Sequence, residues 1–246
     1  MDLTSEKTHT FPRTLGAVLF SIGILIGVVF LGYTVWADIE ATLFDTSFDA
    51  DESLRTLKCP LILTTGESDT VSAAFQNKSE RSIRPLVRAH ISDSFVTLMR
   101  EERELITIPS GRSEERSWVI NYDDAVYERF VLVRVTQNAY FPVPSRTGSC
   151  GVLALNIPIL SGGVVAALVT ALMAAFIFFG LRFWLKYNQP LMGRTRTITQ
   201  GFTWLTIVMA AGILVTYLGW WFAAALLFVL TLLLMMVIST YLFLTV

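Results

Sequence analysis

The chain has 246 residues, 53% of them hydrophobic, with a mean hydropathy of +0.57, which excludes an ordinary soluble domain and makes a membrane protein the default. Its net charge of −1 gives no basis for a nucleic-acid surface, but that average hides an asymmetry. Of 20 acidic residues, 18 lie between Asp38 and Glu128, and the charges after that point are all basic: Arg129, Arg134, Arg146, Arg182, Lys186, Arg194 and Arg196. An acidic outer segment and basic inner loops give this distribution, because Lys and Arg near helix ends resist translocation while acids hardly matter.

Residues 1–13 are a polar tail carrying Lys7 and Arg13, expected on the cytoplasmic side. The uncharged run 14–37 matches the ~20 residues that carry a helix across ~30 Å of hydrocarbon, and is read as transmembrane helix 1. Its length exceeds the 7–15 apolar residues of a signal-peptide core, which is the competing reading. Tyr33 and Trp36 suit the interface. Residues 38–58 mix six acids with Ile39, Leu43, Phe44, Phe48 and Leu54, and are expected to be either an amphipathic connector or a solvated spacer.

From Cys59 onward short β-like runs alternate with turn signals. They are 60–65; 71–76, where Val71, Ala73 and Phe75 alternate; 83–92, with Val87, Ala89 and Ile91 opposite Arg88 and His90; 95–99 and 105–108, bracketing the charged run 100–104; Trp118 to Ile120; and 130–137. Pro142 and Pro144 are expected to close the segment before Cys150. Six or seven short strands in about 90 residues predict an all-β domain over 59–150, an antiparallel sandwich of immunoglobulin-like architecture. The stretches FQNKSERSIRPLVRAHIS, ITIPSG and RFVLVRVTQ, in that order, resemble the generic Ig-like modules of prokaryotic surface and membrane proteins. That resemblance covers residues 59–150 and implies recognition or spacing, with no particular ligand.

Residues 151–185 are read as transmembrane helix 2, with room for a strand end before a helix that starts near Pro158. A basic loop, 186–201, follows. Residues 202–246 contain no charge and span about two crossings, with Leu218-Gly219-Trp220-Trp221 near the middle, which predicts a tight hairpin of helices 3 and 4. Arg182, Lys186, Arg194 and Arg196 set the topology: their loop is expected inside, both termini in the cytoplasm, and 38–150 outside the plasma membrane. An outside location favours a disulfide between Cys59 and Cys150, with two buried free thiols as the alternative.

Gly163, Ala167, Ala171 and Ala175 recur every fourth residue and put small side chains on one stripe, with Gly23 and Gly27 as a matching patch on helix 1. Such stripes let helices approach closely in lipid, within one bundle or between subunits. Asn77-Lys78-Ser79 fits the N-glycosylation pattern.

No catalytic, metal-ligating or cofactor-binding set emerges. The two histidines, His9 and His90, have no Cys/His cluster at ligand spacing, and the nucleophile-elbow, zincin, phosphate-loop and dinucleotide motifs are missing from the sequence. Glu101-Glu102, Glu114-Glu115 and Asp123-Asp124 read as mixed-charge rim. The expectation is a non-enzymatic multi-pass protein whose partners are the bilayer and other membrane or extracytoplasmic proteins, serving as a subunit, scaffold or assembly factor of a membrane complex. A transporter or channel component, or the ligand-sensing subunit of one, is the alternative, weakened by the lack of Asp, Glu, His or Lys within the four apolar cores.

Overall fold

The computed structural model describes residues 10–45 and 50–243. The tail up to His9, and Phe48 in the connector, lie outside them. Two units separate by packing: a sheet unit, Tyr33–Ala166, and a helical unit formed by the described residues up to Gly32 and from Ala167 onward.

Helix α1 (Thr10–Leu43) belongs to the helical unit up to Gly32 and to the sheet unit from Tyr33. Its 34 residues reach about 51 Å at 1.5 Å per residue, more than one crossing needs. The expected boundary at Ala37 is therefore corrected. Asp38 and Glu40 do not stop the helix, since neither is a breaker, and the first part of the expected connector is helical.

Eight strands follow: β1 (Glu52–Ser53), β2 (Ile62–Thr64), β3 (Ser68–Gln76), β4 (Leu86–Asp93), β5 (Phe95–Leu105), β6 (Ser113–Asn121), β7 (Phe130–Gln137) and β8 (Arg146–Leu155). Six form one sheet in the order β1-β8-β7-β4-β5, with β2 also paired to β8, and β3 pairs with β6 in a second. Pairing among β4, β5, β7 and β8, and between β3 and β6, is antiparallel. Against the expectation of a wholly antiparallel arrangement, β1 and β2 run parallel to β8. Long stretches of chain, residues 54–145 and 65–145, join them to it, so no tight hairpin forces the opposite direction.

Period-two alternation builds the core as the sequence predicts. Val71, Ala73 and Phe75 of β3, Trp118 and Ile120 of β6, Val87, Ala89 and Ile91 of β4, and Val131, Val133 and Val135 of β7 enter one buried cluster, joined by Leu63, Val152 and Ala154. One expectation fails. The charged run 100–104 lies within β5, an edge strand whose charges alternate by face, Glu101 and Arg103 on one side, Arg100, Glu102 and Glu104 on the other. A charged edge deters pairing with foreign strands. Residues 151–155, read as room for a strand end, are the second half of β8, and the helix expected to start near Pro158 starts at Gly162.

The remaining helices are α2 (Gly162–Tyr187), α3 (Arg194–Tyr217) and α4 (Trp221–Phe243). All four helices contain stretches long and apolar enough to cross a membrane. The expected basic loop shrinks to 188–193, since α3 starts at Arg194 rather than near residue 202. The hairpin turn between α3 and α4 is where Gly219 was expected to place it. Gly219 adopts φ +72°, and the Trp220 and Gly219 N–H groups donate to the Val215 and Thr216 carbonyls, the paired bonds of a glycine-terminated helix. Within the helical unit Phe20, Ile24, Leu31, Met173, Ile177, Phe202 and Met209 are buried, and the Phe20 and Phe202 rings stack at 4.2 Å.

Candidate functional site

The densest cluster of ionisable side chains lies on the face of the large sheet opposite its apolar core. Register sets Ser149, Arg134, His90 and Glu101 in one row across β8, β7, β4 and β5. The end of α1 lies on this row. The Asp45 carboxylate pairs with His90 Nδ1, and Arg134 donates from Nη1 to the Phe44 carbonyl at 3.1 Å. Glu101 Oε1 stands 3.2 Å from His90 Nε2, and Arg103 forks onto the same carboxylate. The arginine fork, assisted by His90, holds the Glu101 carboxyl down at about 2 against the opposing effect of burial.

This arrangement fastens chain rather than exposing chemistry. His90 and Asp45 side chains are each 7% exposed, and both imidazole nitrogens lie against carboxylates, which closes the ring off from solvent. Beside it, Ala37 and Ala41 of α1 are fully buried. The Gly151 N–H donates to Asp38 Oδ1 at 3.1 Å, and a side chain at Gly151 would run into the Ala37 carbonyl. Glycine is required there because a helix backbone meets a strand backbone.

The exit from the sheet is fastened as well. Glu67 Oε1 accepts from Gly162 N at 2.6 Å and from Thr64 N at 3.0 Å, placing a carboxylate on the first turn of α2, where orphan N–H groups and the helix dipole favour it. The Thr64 hydroxyl lies 2.8 Å from the Leu160 carbonyl. Between entry and exit, Cys59 and Cys150 form a disulfide with Cα atoms 6.5 Å apart, Cys150 sitting next to Gly151 on β8.

Among the other residues singled out in the sequence, Gly23 packs against Ile177 and Phe176, and Gly27 against Met173 and Met209. Gly163, Ala167 and Ala171 are exposed and Ala175 is half-buried, while α2 packs within the helical unit through Met173, Ile177 and Gly180. Bulkier side chains here fill the gaps opposite the glycines of α1. Arg182 and Lys186 near the end of α2 and Arg196 at the start of α3 are exposed, and Arg194 begins α3. Thr170 lies 3.1 Å from the Tyr217 hydroxyl.

Asn77 is fully buried. Its amide nitrogen donates to the carbonyls of Arg81 (2.7 Å), Ile108 (3.0 Å) and Pro109 (3.2 Å), and its oxygen accepts from Ser79 N and the Ser79 hydroxyl. The nitrogen a glycan would occupy is thus consumed by the fold. Sequence reading missed Gly151, Glu67 and the row around His90. Glycine inside an apolar run was the one available signal, since carboxylates 45 and 11 residues from His90 meet it only through the fold.

No family model matches the chain, and no curated protein matches it. Among solved structures it is similar to a red sea bream transglutaminase (16% identity, TM-score 0.32, covering 39% of this chain and 16% of that one). It is also similar to a Paenibacillus sp. cycloisomaltooligosaccharide glucanotransferase (13% identity, TM-score 0.32, 42% and 14%) and a Listeria innocua β-glucosidase (16% identity, TM-score 0.27, 42% and 16%). The chain spans about a sixth of the length of each.

Proposed function

We propose that this is a multi-pass plasma-membrane protein that displays residues 38–150 outside as an Ig-like sandwich, keeps both termini in the cytoplasm, and acts without catalysis as a subunit, scaffold or assembly factor of a membrane complex. The observation that carries the reading is where the sheet unit's buried polar side chains go. Asp45, His90, Arg134 and Asp38 hold the incoming helix and Glu67 holds the outgoing one. A rigidly mounted display domain needs such fastening. The single core shared by both sheets supports a sandwich. The bases at the α2–α3 turn support the topology, since that end stays on the cytoplasmic side under the positive-inside rule.

Gentle detergent extraction followed by native mass spectrometry is expected to recover the chain in a defined complex with other membrane or extracytoplasmic proteins. A bare monomer under every mild condition would overturn the reading. Topology is checked separately with single cysteines at Tyr140 and Gln189, of which only the first should react with an impermeant thiol reagent in intact cells.

A further inference from the structure

A cleft of about 580 Å³ opens in the sheet unit between the edge strand β1 and the free edge of β3, lined by Glu52 to Thr56, Ala74, Gln76, Lys78 and Arg146. The hydrogen-bond accounting along β3 shows what this edge offers. Ser72 exchanges both backbone bonds with Lys58, so its N–H and C=O point away from β6. In an antiparallel pair that direction repeats every second residue, which turns the backbone groups of Ala74 and Gln76 toward the cleft as well. Their carbonyls are occupied, by the Thr56 hydroxyl at 2.5 Å and by Arg146 Nη1 at 3.5 Å. No acceptor for either N–H exists among the described residues. Two parallel donors on an uncovered strand edge remain.

Charge points the same way. Arg146 is neutralised by Glu52 at 3.0 Å, whereas Arg55 and Lys78 are exposed and form no ion pair among the described residues. Two uncompensated cations therefore flank two unfilled backbone donors. The surrounding segment from Asp38 to Cys150 carries 18 acids against 13 bases, so this is a basic spot in an acidic domain. Native sheets normally blunt such an edge with a covering segment or a bulge, and the Lys58 pairing does so only as far as Ser72.

We infer that this cleft binds an extended acidic polypeptide segment of a partner, which adds to the free edge of β3 through Ala74 and Gln76 and places carboxylates against Arg55 and Lys78. Strand addition supplies the pairing, and the two cations select sequences with acids on one face of the strand. The inference rests on the reading of this unit as a partner-binding display domain and names the partner's chemistry.

The test uses the full chain in detergent micelles and fluorescence anisotropy of a blocked, labelled peptide alternating Val and Glu. That peptide is expected to bind, while its Lys-for-Glu counterpart and a version N-methylated at alternate residues fail. The double variant Arg55→Glu, Lys78→Glu, with both changes at exposed positions, is expected to weaken binding about tenfold or more. Equal binding of the Glu and Lys peptides, an unaffected double variant, or no binding of the Glu peptide would overturn the inference. So would undiminished binding of the N-methylated peptide, or displacement by inorganic phosphate at matching concentration, since either makes the cleft a simple anion site. A complex that still co-purifies with the double variant sinks the cleft but not the scaffold reading. Peptide binding by a chain that never co-purifies with a partner does the reverse.

Discussion

The sheet unit and the helical unit solve the same problem with opposite means. In the sheet unit, apolar side chains point into one cluster, and polar groups such as the Asn77 amide and the Glu67 carboxylate bond to particular partners distant in sequence. In the helical unit the hydroxyls of Thr203, Thr206, Thr216 and Thr231 turn back to carbonyls of their own helices, and large apolar residues such as Leu25, Phe178, Trp204, Leu233 and Met236 face outward. A polar group that pairs within its own helix specifies nothing about neighbours. One unit is thus defined by particular contacts and the other by helices long and apolar enough to cross a membrane.

That contrast predicts a steep gradient of mutational effects. The largest should follow Cys59→Ser with Cys150→Ser, because opening a loop of 91 residues forfeits about 4–5 kcal/mol of constraint on the unfolded chain. Denaturant titration of the sheet unit within the intact protein, read by limited proteolysis, would measure it. Next, Gly151→Ala should cost about 3 kcal/mol by lifting α1 off β8, with matching proteolytic exposure of 33–45. Asn77→Ala should cost about 2 kcal/mol, since it removes a fully buried amide that ties the Arg81, Ile108 and Pro109 carbonyls to the Ser79 N–H, and in a glycosylating host the folded wild-type chain should carry no sugar at Asn77.

Acid tests the clasp around His90. Glu101 titrates near 2 when folded, against 4.5 for its ordinary value. Its contribution is therefore present above about pH 4.5 and lost as pH falls toward 2. Glu101→Gln should flatten the loss of stability across that window and lower stability at neutral pH, because the contribution present there is removed. Smallest of all, Ala171→Leu on the exposed face of α2 should leave the isolated chain within about 0.5 kcal/mol of wild type. A large effect there would erase the contrast between the two units.

What the sequence made legible divides along the same line. Four apolar stretches, the Gly219 turn, the inward faces of β3, β4 and β7 and the Cys59–Cys150 pair are written in local period and composition, and the structure has them. The strand β8 was legible only as room for a strand end, because Gly148, Ser149 and Gly151 dilute its β signal and its apolar half merges with the helix that follows. The length of α1 was missed because helix continuation through Asp38 depends on the seat offered by Gly151, more than a hundred residues away. The stripe from Gly163 to Ala175 was legible as a pattern, but a pattern of small residues does not say which neighbour it awaits.

Strand β8 also sets the order in which the sheet unit can be assembled. It pairs with β1, β2 and β7, holds the helix through Gly151 and carries the second half-cystine, yet of the eight strands it is synthesised last. Until residues 146–155 emerge, β1 and β2 have no partner and α1 no seat. The inward-facing residues of β7 must wait with one flank uncovered. Contacts spanning more than ninety residues close late and slowly. During that interval the nascent segment is exposed to aggregation and degradation, and the rate at which its final ten residues arrive governs how long the exposure lasts.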